Sequence, residues 1–337
     1  MGLVRTTLRE FDRLLTRHYN RPERGWESDR KVVLGYLATF ESVKDKDIDF
    51  IRRITRVAGH IMEDDDSSHL IAGYLKRLYN YNVEGIGIID ENADCREVSS
   101  SQRHSFQTQL SYQAGEVAMD LFKKDETFFW SRRAYDCFIF SSDPDKTYNP
   151  WYAVNSIKRA GDAATACYEA DSGEEPEKIG WLKKAYGHYM KSAGLLDSLV
   201  KERLSDGGSS PHDIERSASH CGFAGDSAGE IYHVTGDYKW AARAFNAFIT
   251  SSNKHKDESE KYNVLLSAGE IAYQVSDLLD EEISGIDPGK DTAWWAEQAK
   301  TCYVAYLIAI QESPDHNAEE DVSDIMSKLQ VLDETFP

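Results

Sequence analysis

Proline is scarce in this chain, 8 in 337 residues, and the long stretches between prolines are rich in Ala, Leu, Glu, Lys and aromatic residues. That combination favours helices over sheet. No run of about 18 apolar residues occurs, so no membrane-spanning helix is expected. Cysteine is sparse as well. Cys95, Cys137, Cys167, Cys221 and Cys302 are odd in number and widely spaced, and no C-x-x-C pair occurs. This excludes a disulfide framework and the usual zinc spacing, and leaves the thiols as small packing residues in a reducing compartment. Positive charge is in deficit, with 39 Lys+Arg against 58 Asp+Glu and a net charge of −19. The average field therefore repels nucleic acid, while an acidic surface keeps an elongated array soluble.

Catalytic signatures are absent too. There is no Gly-x-x-x-x-Gly-Lys-Ser/Thr loop, no Gly-x-Ser-x-Gly elbow, no His-Glu-x-x-His and no EF-hand spacing. Gly85-Ile86-Gly87 is too short for a nucleotide fingerprint. His220-Cys221 is an adjacent pair whose side chains diverge on a helix. His60, Glu63 and Asp64, with Asp65, Asp66 and His69 after them, offer divalent-metal ligand types, but the same run suits a solvated turn and helix cap. The turn is preferred, and the chain is expected to be no enzyme and to need no metal and no cofactor. Met1-Gly2-Leu3-Val4-Arg5 leads into a charged amphipathic stretch rather than a signal-peptide core, so a cytoplasmic or nucleoplasmic location is expected. Met1–Thr6 also formally fits an N-myristoylation pattern of a kind that chance often produces.

What the chain does have is a repeat. Trp, then Ala four residues on, then an aromatic eight residues after the Trp occurs as Trp130–Ala134–Phe138, Trp181–Ala185–Tyr189, Trp240–Ala244–Phe248 and Trp295–Ala299–Tyr303. Offsets of four and eight place the three on one helical stripe, and a small residue between two large ones lets another helix come close. A further aromatic follows the Ala in three copies, at Tyr135, Tyr186 and Phe245. Upstream of each copy stands Ala-Gly-acid: Ala114-Gly115-Glu116, Ala160-Gly161-Asp162, Ala228-Gly229-Glu230 and Ala268-Gly269-Glu270. A glycine inside a helix costs about 1 kcal/mol against alanine, so its recurrence implies close packing on the paired helix.

The shortest unit, Ala228-Gly229-Glu230 through Gly236-Asp237-Tyr238 into Ala241, Phe245 and Phe248, resembles a tetratricopeptide repeat. Gly236 is expected to close the first helix in a left-handed conformation and Asp237 to cap the second. The Trp-to-Trp spacing exceeds the regular repeat, and such long, irregular hairpins are similar to those of the SNAP adaptor family. The resemblance implies an all-α, right-handed α-solenoid of antiparallel helical hairpins, with about 12–13 helices. Residues 1–80 read as an N-terminal helical block and 81–103 as a loop or joint. The hairpin array occupies 104–311, and 312–337 an acidic capping helix with Val322, Ile325, Met326 and Leu329 on its apolar stripe.

The resemblance also implies a non-enzymatic scaffold or adaptor that binds a peptide or helix of another protein along the first helices of its hairpins. The residues expected to line that groove are Gln113, Glu116 and Asp120; Asn155, Lys158 and Arg159; Asp226, Glu230 and His233; and Ser267, Glu270 and Gln274. Two alternatives stand beside it. One is a SNAP-like adaptor of a membrane-fusion or ATPase complex. The other is a regulator docking on nucleic acid or anionic lipid through Arg5, Arg9, Arg13 and Arg17, which fall four residues apart as a basic ridge.

Overall fold

The computed structural model describes residues 76, 78–80, 82, 83, 86, 100–143, 149–205, 211–278, 290–312 and 319–336. Residues 76, 78–80, 82, 83 and 86 are helical, and nine helices with defined ends follow, with no strand among the described residues: α1 (Ser100–Asp125), α2 (Phe128–Ser141), α3 (Pro150–Ala170), α4 (Glu175–Ser205), α5 (Pro211–Thr235), α6 (Tyr238–Lys254), α7 (Glu258–Ser276), α8 (Thr292–Glu312) and α9 (Glu319–Thr335). Inside the segment expected to be a joint, residues 82, 83, 86 and 100–103 are helical, so α1 starts earlier than position 104. Ser100 and Ser101 lie in its first turn, where serine is well tolerated. The metal candidate at 60–69 and the arginine ridge at 5–17 lie outside the described residues.

The chain divides into two compact units, Met1–Ser156 and Ile157–Pro337, the division falling inside α3. In the first unit α1 and α2 form an antiparallel hairpin. Leu110, Ala114, Ala118 and Leu121 of α1 and Trp130, Ala134 and Phe138 of α2 are buried. Ser111 Oγ donates to the Cys137 carbonyl at 2.8 Å and ties the two helices together. The turn between them passes through Glu126, whose φ of 48° is left-handed and whose N–H reaches the Phe122 carbonyl.

The second unit is an α-solenoid arrangement in which each helix from α4 to α9 packs on the next in sequence. Every Trp, Ala and aromatic of its three stripes is buried, with Ala185, Ala244, Trp295, Ala299 and Tyr303 at 0% exposure. The aromatic that follows the Ala has a separate task. Tyr186 meets Trp240 edge-on at 5.4 Å, and Phe245 meets Trp295 at 5.2 Å, so each second helix is stitched to the second helix of the next hairpin. Gly236 takes φ +66° and its N–H bonds to the Tyr232 carbonyl, and the Asp237 side chain caps α6 by accepting from Lys239 N–H. At the end of the unit, α9 buries Ile325 and Leu332. Met326, expected on the same stripe, is 55% exposed, because a residue adjacent to Ile325 points about 100° away from it.

The glycine register of the third hairpin differs from the expected one. A Cβ on Gly115 would lie 2.6 Å from the Phe138 ring, on Gly161 2.6 Å from Tyr189, and on Gly269 2.9 Å from Tyr303. In each case the glycine faces the aromatic that ends the stripe. In the third hairpin the residue facing Phe248 is Gly225, at 2.5 Å, while Gly229 only meets Ile271 at an ordinary 3.5 Å. The equivalent tripeptide is thus Ala224-Gly225-Asp226 and not Ala228-Gly229-Glu230. Two Ala-Gly-acid tripeptides four residues apart share a helix face, so spacing on one helix does not separate them. With Gly225 in place, α1/α2 and α5/α6 run in one register: a left-handed residue (Glu126, Gly236) eleven positions after the glycine, and Trp at the fifteenth.

Candidate partner-binding pocket

In the second unit, the partners of the acid that follows each facing glycine depend on the aromatic opposite. Where that aromatic is tyrosine, its hydroxyl donates to the acid: Tyr189 to Asp162 at 2.9 Å and Tyr303 to Glu270 at 2.9 Å. Burial and the adjacent carboxylate push both phenols well above their usual pKa. Asp162 also pairs with Lys158 at 2.7 Å and Arg159 at 3.4 Å. Glu270 also takes Lys328 Nζ at 2.7 Å, which ties α7 to α9. Burial alone would lower that ammonium's pKa, but bonds to Asp324 and Glu270 outweigh it and hold it raised.

The third hairpin breaks this pattern. Phe248 has no hydroxyl, and among the described residues nothing donates a hydrogen bond to Asp226 and no cation pairs with it. The side chain is exposed, yet the concave wall around it withholds enough water to raise its pKa from 3.8 to about 6. Asp226 opens onto a pocket of about 390 Å³ between α3, α4 and α5. Tyr168, Tyr189 and Phe223 supply aromatic wall, Leu182 an apolar floor, Thr165 and Ser227 hydroxyls, and Glu169, Asp226 and Glu230 three carboxylates. No Lys or Arg lines it. Glu230 accepts from the Tyr168 hydroxyl at 2.9 Å, and burial together with that carboxylate raises the Tyr168 pKa to about 12.

The residues expected to line a groove thus separate into groups. Asp226 and Glu230 come together in the pocket, one helical turn apart on α5. Lys158, Arg159 and Glu270 are held in the ion pairs above. Asp120 pairs with Lys123 at 3.0 Å, and the Ser267 hydroxyl donates to the Asn263 carbonyl. His233 is exposed beside the Tyr232 ring. Gln113, Glu116, Asn155 and Gln274 are half-buried. Tyr168 and Phe223, which the sequence reading left out, belong to the pocket. Their only signal is position, Phe223 lying one residue outside the Ala224-Gly225-Asp226 tripeptide.

Other chemistry-bearing groups are locked in packing. His220 and Cys221 are both buried. Desolvation, helped by Lys158 and Arg216, lowers the imidazole pKa to about 4, and desolvation also raises the thiol. The pair is therefore neutral on both sides near pH 7, with no thiolate to act as a nucleophile. Lys254 Nζ bonds to Asp197 at 2.7 Å and to the buried Ser217 hydroxyl at 3.0 Å, a clamp joining α4, α5 and α6. Among the described residues no group of three metal-ligating side chains converges, and no helix is long and apolar enough to cross a membrane.

Taken together, the packing defines an all-helical repeat protein whose second unit presents an acidic, aromatic pocket. No family model matches the chain, and no curated protein matches it. Among solved structures it is similar to the S. pombe nuclear import adaptor Nro1, at 10% identity over 85% of this chain and 98% of that one, with a TM-score of 0.30. It is also similar to a de novo designed helical repeat protein, at 14% identity, 78% and 95% coverage and a TM-score of 0.25. A circular tandem repeat protein matches at 11% identity, 99% and 77% coverage and a TM-score of 0.32. The helical repeat fold rests on the helix pairing itself and not on these likenesses.

Proposed function

We propose that the chain is a non-enzymatic adaptor that holds a segment of another protein against the first helices of its hairpins. The observation that carries this reading is Asp226: a carboxylate in a concave wall, left without a partner in the one second-unit hairpin whose facing aromatic lacks a hydroxyl. A charge kept under-solvated and unpaired costs stability, and a binding partner that supplies the missing cation would recover that cost. A tetratricopeptide-like reading is supported by α5/α6, where Gly236 takes a left-handed turn and Asp237 caps the second helix. Buried free thiols at Cys167, Cys221 and Cys302 suit a reducing compartment such as the cytoplasm.

The test is capture from native extract with the purified chain as bait, set against a variant reversing charge at Asp226, Glu230, Glu270 and Lys158 together. Proteins retained by the natural chain and lost by the variant are the expected result, provided the variant keeps its helical circular dichroism. Identical retention by both would remove the first-helix face as the binding surface.

A further inference from the structure

Resting on that adaptor reading, we propose that the pocket of α3, α4 and α5 receives an arginine side chain from a basic segment of the partner protein. Its volume of about 390 Å³ sits at the small end for ligand pockets, suited to one long side chain rather than a whole helix. Its walls select charge: three carboxylates line it and no Lys or Arg is among the lining residues. Its rings select shape, since a cation lying over an aromatic face is favoured, and a flat guanidinium can also stack there.

Two of these rings already carry cations from this chain. Lys158 Nζ sits 5.0 Å from the Phe223 ring centre and Lys178 Nζ 5.2 Å from that of Tyr168. Neither pairs with Asp226: the Lys158 ammonium is held by Asp162 at 2.7 Å. Asp226 and Glu230 stand at i and i+4 on α5, so their side chains are neighbours on one face, within the span of a forked donor. Lysine offers a point charge that meets one carboxylate well. Arginine offers five donors in a plane that can bridge both.

The comparison with the other hairpins adds an independent reason. Asp162 and Glu270, at the equivalent positions, are capped by tyrosine hydroxyls and by lysines of the chain itself. Among the second-unit hairpins, α5/α6 alone combines an acid of this kind with phenylalanine, and that acid is the one that opens onto the pocket.

The test is fluorescence anisotropy of labelled hexa-arginine and hexalysine peptides with the full chain at 150 mM salt, comparing Asp226→Asn with Glu297→Gln. Glu297 is an exposed carboxylate on α8 and controls for the loss of one negative charge. Loss of one charge-assisted contact predicts about tenfold weaker arginine-peptide binding for Asp226→Asn. Less than twofold change is expected for Glu297→Gln, and hexalysine binds the natural chain several-fold more weakly than hexa-arginine. Equal losses in the two variants, equal affinity for the two peptides, or equal displacement by spermidine would each overturn the arginine site. Such a result would leave the adaptor reading standing if extract capture still depended on the first-helix charges. Thermal melts confirm that Asp226→Asn is folded, since removing a desolvated charge is expected to raise its midpoint.

Discussion

Replacing Gly225 and Gly229 by alanine, one at a time, separates the two candidate registers of the third hairpin. Both sit inside α5, so each substitution gains the same helix propensity, about 1 kcal/mol. They differ in what the new methyl meets. At Gly225 it would stand 2.5 Å from two carbons of the Phe248 ring, about 1 Å inside normal carbon contact. Phe248 is 5% exposed and has no room to swing away. Overpacking of this kind costs about 1–3 kcal/mol, so Gly225→Ala is neutral to destabilising by about 2 kcal/mol after the propensity gain. At Gly229 the methyl meets Ile271 at 3.5 Å, an ordinary contact, and the variant is stabilised by about 0.5–1 kcal/mol. The difference between the two is the overlap alone. Urea unfolding followed at 222 nm, with midpoints compared at unchanged slope, measures it. Adding Phe248→Leu to Gly225→Ala restores part of the loss, giving a coupling of about 1 kcal/mol in a double-mutant cycle. If Gly225→Ala proves as stable as Gly229→Ala, the glycine-to-ring account of the hairpins is wrong.

Two further outcomes follow from the geometry. Glu126 holds a left-handed conformation at the position Gly236 occupies in the matching hairpin, so Glu126→Gly is expected to stabilise the first unit by about 1 kcal/mol, seen as a raised thermal midpoint. For Asp226 the folded pKa of about 6 lies above the ordinary 3.8, so its contribution to stability is fully present below about pH 3.8 and is lost as pH rises through 6. Asp226→Asn should therefore be more stable than the natural chain at pH 7.5 by about 0.5–1 kcal/mol, the shift being discounted because the side chain is exposed, and the gain should vanish near pH 4. Glu169, Glu230, Asp162, Tyr168, Tyr189, Lys158 and Lys178 face the same region and are common to both proteins, so their own titration largely cancels in the comparison. An unchanged difference across that range would remove the raised pKa.

The helical stripes were legible in the sequence because offsets of four and eight survive any loop length: Trp181, Ala185 and Tyr189 must share a face wherever the hairpin begins. The Gly236-Asp237 turn was legible because its chemistry is local. The pairing of glycine with ring was not, since Gly225 and Gly229 lie on one face and only the position of the opposite helix chooses between them. The pocket was half legible. Asp226 and Glu230 could be placed on a first helix, but the isolation of Asp226 depends on Phe248 standing where Tyr189 and Tyr303 stand in neighbouring hairpins. That in turn depends on the register. Met326 was misplaced for a simpler reason: a stripe drawn from hydrophobicity admits an apolar residue one position off the buried line.

Hydrogen–deuterium exchange of the full chain, with and without hexa-arginine peptide, tests most directly whether the second unit receives a cationic partner at the pocket of α3, α4 and α5. Slowed exchange confined to peptides covering residues 165–169, 182–189 and 223–230 is the expected result, absent in Asp226→Asn. No slowing there, or slowing spread equally over the acidic α9, would contradict it.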